Sequence, residues 1–263
     1  MELCLFEKRD SMGIITLNRP KKLNALSSQL LKEFEENFEL ACKDPDVRVI
    51  VIRAEGRAFT AGFDLKESME NNITDIVDRR ADTQGEVDFF MKMWYAPKPI
   101  ISAVQGYCIG GGLTISFMSD MIVASEDATF GNPEIILGFI PEIPVEFWKM
   151  PMNKVNEWLY EGKYYTAEEL REIGAVNYVV PREDLDAKAF EIAGRIAKIP
   201  PESMAMMKHS IRKMYDIRGF ANSMAFATEM FNLARCNVQQ KEMSSFKASI
   251  DQGGLKSALS ERY

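Results

Sequence analysis

Three consecutive glycines, Gly110-Gly111-Gly112, sit between two apolar runs, Pro99 to Val104 and Leu113 to Met118. The first run reads as a short buried strand and the second as the opening of a buried helix. Glycines at such a junction let the backbone bend sharply and let another group come very close. The first N–H groups of the helix have no partner inside it and carry the positive end of its dipole. Two readings follow: a tight packed turn, or a site for an anion such as a phosphate or a transient oxyanion.

The same pattern occurs earlier. Val47 to Arg53 is a β-branched run that reads as a buried strand. It leads through Ala54-Glu55-Gly56 into Ala58-Phe59-Thr60-Ala61-Gly62-Phe63-Asp64, with Asp64 early in a following helix. Two such junctions on adjacent strands aim two N–H groups at one point.

Around these junctions the chain alternates strand and helix. Leu3–Lys8 and Gly13–Leu17 read as strands joined by a turn, and a helix capped by Ser27 or Ser28 runs to about Cys42. Residues 68–85 are polar and irregular, which fits a solvated connection or a loop that closes over a ligand. The spacing predicts a helix over Val87 to Tyr95 and a strand from Met121. Thr166 and Glu169 form a capping box, and Ala175 to Val180 is a last strand. From Asp184 onward the pattern is helical, broken at Pro200-Pro201 and near Gly219. This alternation implies an α/β core over residues 1–195 with a helical region over 196–263.

Composition narrows the function classes. The chain has 263 residues, 46% hydrophobic and 27% charged, ordinary for a soluble globular protein. A net charge of -7 argues against nucleic acid or an anionic membrane as partner. No apolar run approaches the ~18 residues of a membrane span, and the N-terminus has no signal-peptide character. Cys4, Cys42, Cys108 and Cys236 are widely separated, which favours free thiols and a cytoplasmic location. The single histidine, His209, lies in the helical tail and reads as a surface residue, so a Ser-His-Asp triad is not expected. No His/Cys cluster has metal-ligand spacing. The glycines form neither a Walker loop nor a dinucleotide fingerprint.

Several segments, in order, resemble the crotonase (enoyl-CoA hydratase/isomerase) superfamily. They are Arg19-Pro-Lys-Lys-Leu-Asn-Ala-Leu26, Ala58-Phe-Thr-Ala-Gly-Phe-Asp-Leu-Lys-Glu67, Pro99 to Gly106, Gly110 to Gly112, Phe130 to Gly138, and Thr166 onward. The resemblance implies a spiral of repeated ββα units with a C-terminal helical trimerisation region. It implies a homotrimer or dimer of trimers and a coenzyme A thioester as substrate, with no separate cofactor or metal. It also implies an oxyanion hole made by the N–H groups of Phe63 and Gly111, and an acyl-CoA site involving Lys21, Lys22, Ala25, Ala61, Gly62, Asp64, Leu65, Lys66, Gly110 and Thr114. Surface solvation is the alternative for the three lysines. Phe63 either lines the acyl pocket or fills core.

Hydratases of this family use two glutamates. The first position holds Thr114 here, which is not a base near neutral pH, and the second holds Glu134. A single glutamate resembles the isomerase branch, in which one carboxylate moves a proton between two carbons of the acyl chain; a raised pKa suits both halves of that transfer. Glu142, eight residues on, falls where dienoyl-CoA isomerases and an aromatic acyl-CoA dehalogenase carry a functional aspartate; its alternative is a solvent-facing loop carboxylate. The sequence reading is therefore an enoyl-CoA or dienoyl-CoA isomerase. A hydratase or lyase of the same family, or a CoA-thioester binder without strong catalysis, are the alternatives.

Overall fold

The computed structural model describes residues 2–70, 73, 75–138 and 140–237, together with 245, 246, 248, 249 and 252. The chain runs β1 (Cys4–Arg9), β2 (Met12–Leu17), α1 (Ser28–Lys43), β3 (Val49–Ala54), α2 (Leu65–Glu70), α3 (Ile76–Tyr95), β4 (Ile100–Val104), β5 (Tyr107–Ile109), α4 (Gly111–Met118) and β6 (Met121–Ser125). It continues through β7 (Thr129–Gly131), α5 (Met152–Glu161), β8 (Tyr164–Thr166), α6 (Ala167–Glu172), β9 (Tyr178–Val180), α7 (Leu185–Ile196), α8 (Pro201–Ile217) and α9 (Phe220–Asn237).

The larger sheet has the order β1-β2-β3-β4-β6-β9, and the smaller β5-β7-β8. Every pairing in the larger sheet after the antiparallel β1–β2 hairpin is parallel. Strands β2, β3 and β4 are buried along their length apart from a half-buried Arg53, as their unbroken apolar runs require. One face of this sheet packs on α7 through Ile14, Val51, Ile101 and Val123 against Leu185, Ala189 and Ile192. The other face meets the larger core, which includes Phe34, Phe90, Trp94, Phe117 and Trp158.

Two windings hand the chain from the larger sheet to the smaller, from β4 to β5 and from β6 to β7. Between the expected strand before the glycines and the helix after them lies an extra strand, β5, too short to stand out by composition. The chain leaves β4 at Gly106, whose φ is +53°; a Cβ there would lie 2.0 Å from the Arg57 carbonyl oxygen. No residue with a side chain fits that approach.

Two further differences concern helices. The polar stretch 68–85 is not an irregular connection throughout, because α3 begins at Ile76. Asp75 caps it by accepting hydrogen bonds from the Val77 and Asp78 N–H groups. Polar residues hid this helix because part of its inner face is itself polar: Arg79 and Thr83 are buried. Residues 71, 72 and 74 of the stretch lie outside the described residues. The methionines and aromatics of the helical tail divide: Met224 and Phe231 are buried, while Met206, Met207, Met214 and Phe226 are exposed. His209 is exposed as expected, and the capping box at Thr166 and Glu169 is present.

The exposed methionines follow from what anchors α8. Its inward side chains are Lys208 and Arg212, both bonded to Asp120 at 2.6 Å. Asp120 also accepts from the Ile100 N–H at 2.8 Å, and Arg212 lies 3.5 Å over the Trp94 ring. Replacing Asp120 by alanine leaves two buried cations without their shared carboxylate. Asp120→Ala is therefore expected to lower unfolding stability by about 3 kcal/mol, read as a shift in the urea midpoint.

Candidate active site

The two glycine-containing junctions lie side by side. The Phe59 N–H donates to the Gln105 carbonyl at 2.7 Å, the Thr60 N–H to Tyr107 at 3.0 Å, and the Ile109 N–H back to Thr60 at 3.0 Å. Leu26 pairs with Phe63 in a parallel bridge: the Leu26 N–H donates to Gly62 and the Asp64 N–H to Leu26. In such a bridge the N–H of the intervening residue faces the other way. Among the described residues, neither the Phe63 N–H nor the Gly111 N–H has an intramolecular acceptor. Gly111 is the first residue of α4, whose N–H points out of the helix end. The Phe63 ring covers Gly111, where a Cβ would come within 2.9 Å of it. Phe63 therefore serves the pocket and packs against the core at once.

Glu134 lies across this floor. It is held in a 3₁₀ turn, Pro133–Leu137, which Pro133 opens and the left-handed Gly138 closes by donating to the Glu134 carbonyl. Its Oε1 stands 1.9 Å from where a Gly110 Cβ would be and 3.6 Å from where a Gly62 Cβ would be. Gly110 itself has φ +50°. The glycines thus make the space in which the carboxyl rests. Glu134 Oε2 is buried without a hydrogen-bond partner. Burial pushes this carboxyl up to about 7, while a bond to its own backbone pulls the other way.

These groups line one cavity of about 320 Å³. Ala61, Phe63, Asp64, Leu65, Gly110, Gly111, Thr114, Glu134 and Glu142 of the expected site face it. Lys21, Lys22, Ala25, Gly62 and Lys66 are not among its lining residues. Lys21 and Lys22 are exposed on a short 3₁₀ turn that the left-handed Leu23 terminates. Ala25 accepts from the Arg19 guanidinium at 3.0 Å, and the Gly62 carbonyl accepts from the Leu26 N–H at 2.8 Å. Asp64 is engaged as well as exposed to the cavity: Arg19 bonds it at 2.7 Å. Burial acts to raise the Asp64 carboxyl, but Arg19 and the Lys66 N–H outweigh it and hold the group low.

Glu142 is not a solvent-facing loop carboxylate, for it is only 6% exposed. Besides Glu67, which accepts from the Ser28 N–H and hydroxyl, three acidic residues share the cavity that sequence reasoning passed over. Glu146, in a 3₁₀ turn at Val145–Trp148, is buried; desolvation and the nearby Glu134 carboxylate push it up to about 7. Asp82 and Glu86 enter from α3, and Arg235 and Phe231 from α9. Burial, with Asp82 adding to it, pushes Glu86 up to about 7. No motif marks these residues. The available signal was a single glutamate in an otherwise apolar run, Ile-Pro-Val-Glu-Phe-Trp, which binary patterning flags as costly to bury. Among the described residues no cluster has the makings of a metal site, and no helix is long and apolar enough to cross a membrane.

Residues 7–249 match the family model for enoyl-CoA hydratase/isomerase. A probable mitochondrial enoyl-CoA hydratase of Dictyostelium discoideum is 35% identical over 91% of this chain and 86% of its own. A (7aS)-7a-methyl-1,5-dioxo-2,3,5,6,7,7a-hexahydro-1H-indene-carboxyl-CoA hydrolase of Rhodococcus jostii is 35% identical over 72% of each chain. The crystal structure of an enoyl-CoA hydratase/isomerase from Xanthobacter autotrophicus superposes with a TM-score of 0.94 at 31% identity. It covers 99% of this chain and 97% of that one.

Two outcomes test the geometry. Gly110→Ala places a methyl group on the Glu134 carboxyl and strains a positive φ; turnover should fall at least ~100-fold while far-ultraviolet circular dichroism stays native. Glu86, Glu134 and Glu146 each keep a proton when folded that the unfolded chain releases above its ordinary value of 4.5. The folded state therefore binds more protons between pH 4.5 and about 7, and stability falls as pH rises through that window. Each group contributes about 1.4 kcal/mol per pH unit there. Urea unfolding at pH 5 and pH 7 should show the fall, and Glu146→Gln should flatten it.

Proposed function

The chain belongs to the enoyl-CoA hydratase/isomerase family, and from that premise we propose that it moves a double bond along an acyl-CoA thioester. The observation that carries this reading is the Glu134 carboxyl, seated on Gly110 beside two free N–H groups, with Thr114 where a second glutamate would stand. The thioester carbonyl oxygen accepts from the Phe63 and Gly111 N–H groups. Glu134 takes a proton from the carbon next to the carbonyl of a 3-enoyl chain, and the electron pair moves onto the oxygen. The two donors stabilise that enolate; losing one such donor raises the barrier by ~3 kcal/mol. Glu134 then returns its proton to the far carbon as the double bond settles beside the carbonyl. A carboxyl titrating near 7 both accepts and donates at neutral pH.

A second reading is hydration, favoured by Glu146, whose carboxyl feels the Glu134 charge. Two such groups hold a water between them, so that Glu146 supplies from Val145–Trp148 what Thr114 does not from α4. The hydratase relative from Dictyostelium supports this reading, whereas the Rhodococcus relative of equal identity is a hydrolase, so names do not choose the reaction. Coenzyme A enters as part of the substrate, and no further cofactor is invoked. The outward face of α8, with Met206 64% and Ile217 77% exposed, supports self-association as a homotrimer or dimer of trimers. The four unpaired cysteines support a reducing compartment such as the cytoplasm.

Offering 3-enoyl-, 2-enoyl- and dienoyl-CoA in deuterated water distinguishes the reactions. Double-bond migration with deuterium incorporation is expected; hydrated product without migration sinks the isomerase reading. Glu134→Gln should lower kcat by ~10³. With Glu134 acting as base, kcat/KM should rise with pH through about 7. Glu146→Gln should spare migration and abolish only hydration.

A further inference from the structure

The segment Arg19 to Leu26 belongs to the pattern by which the chain resembles its family, yet only its last residue lines the cavity. It is also strained. Leu23 and Asn24 follow one another at φ +52° and +53°, a left-handed conformation that is costly for leucine. Such strain persists where the surrounding bonds over-determine it. Asn24 is fully buried and supplies those bonds. Its side chain accepts from the Arg19 N–H at 2.7 Å and donates to the Glu55 and Ala58 carbonyls at 2.9 Å each.

The turn so fixed carries Arg19, and the Arg19 side chain reaches the Phe63 junction. Its Nη1 donates to the Ala25 carbonyl at 3.0 Å and to Asp64 Oδ2 at 2.7 Å. Ala25 immediately precedes Leu26, and Asp64 immediately follows Phe63. One nitrogen therefore ties together the two segments that form the Leu26–Phe63 bridge. That bridge stands outside both sheets, so the tie supplies support that a longer ladder of strand hydrogen bonds would otherwise give. The Arg19 and Asp64 side chains are 22% and 16% exposed, which sets them apart from the open ion pairs of the surface. Asp64 is held at its other oxygen as well, where the Lys66 N–H donates to Oδ1 at 3.0 Å. The residue these ties enclose is Phe63, whose N–H is one of the two donors assigned to the thioester oxygen. Such a donor acts only if it is held within ~0.5 Å of its productive place.

We propose that Arg19 is a positioning residue: by clamping Ala25 and Asp64 on either side of the Leu26–Phe63 bridge, it fixes the direction of the Phe63 N–H. Stabilisation of the enolate then depends on Arg19, whereas affinity for the substrate does not. This rests on the two-donor reading above and invokes no contact between Arg19 and the substrate.

Butyryl-CoA labelled with carbon-13 at its carbonyl is saturated, and it reports the donors directly, because hydrogen bonding to the oxygen lowers the carbonyl stretch. Infrared difference spectra of the full chain with this ligand should show the lowered stretch. Arg19→Met keeps the length of the side chain and loses the donor. It should lose much of that lowering, with kcat on a reactive enoyl-CoA falling ~10- to 100-fold and KM moving less than ~2-fold. Arg19→Lys retains a donor nitrogen and should recover most of both. Asp64→Ala opens the clamp from its other end, should Arg19→Met not fold. Asp120→Ala, destabilised elsewhere, should leave the stretch as in the unaltered chain. A stretch unchanged in Arg19→Met or Asp64→Ala, or one lost equally in Asp120→Ala, overturns the clamp alone. If butyryl-CoA binds the unaltered chain with no lowering, the two-donor reading falls and the clamp with it. If the lowering and its loss are seen and no double bond moves, only the isomerase reading falls.

Discussion

The seating of a carboxyl directly on the Cα of Gly110 is the contact on which the site depends. A side chain at that position would occupy the place of Glu134 Oε1, 1.9 Å from the ideal Cβ. Gly62 makes room from the other junction, and the Gly110 N–H donates to Gly131 at 3.1 Å to hold the turn against β7. Three windings of the chain therefore converge on one point: the first supplies the Phe63 N–H, the second the Gly111 N–H, and the third the carboxyl. Backbone hydrogen bonds between the windings set the separation of these groups, so the proposed catalytic geometry needs little from flexible side chains.

The cavity is acidic as well as apolar, and two elements remote in sequence make it so. Helices α3 and α9 pack together and bring Asp82, Glu86 and Arg235 to its far end. Burying several carboxyls in one place is unfavourable unless charge is balanced or protons are kept. Both happen here. Glu134 and Glu146 keep protons near neutral pH, as does Glu86, whose rise Arg235 partly offsets. The same desolvation that makes these groups useful also makes the fold less stable as they ionise.

Helix α8 inverts the usual arrangement. Its polar residues face in, where Asp120 gathers Lys208 and Arg212, and its methionines and isoleucines face out. Its exposed apolar side is the surface that the proposed self-association would cover.

How much was legible in the sequence follows from the range of the interactions. Buried parallel strands, the glycine turns and the Thr166–Glu169 cap depend on residues near in sequence, so the α/β class and the two turns were readable; Phe63, Gly111 and Glu134 were singled out only through the resemblance, and the fold brings them to one cavity. Strand β5 and the first turns of α3 were not: the one is three residues long, and the other hides Arg79 and Thr83 on an inner face that looks solvated. Thr114 was readable as the absence of a second glutamate, yet Glu146 was invisible as a neighbour of Glu134. Sequence by itself determined which groups the backbone presents and which side chain is missing. Only the tertiary structure decided which carboxyls share the cavity and which of them keep their protons, because burial and charge pairing are properties of the packed chain and of no segment within it.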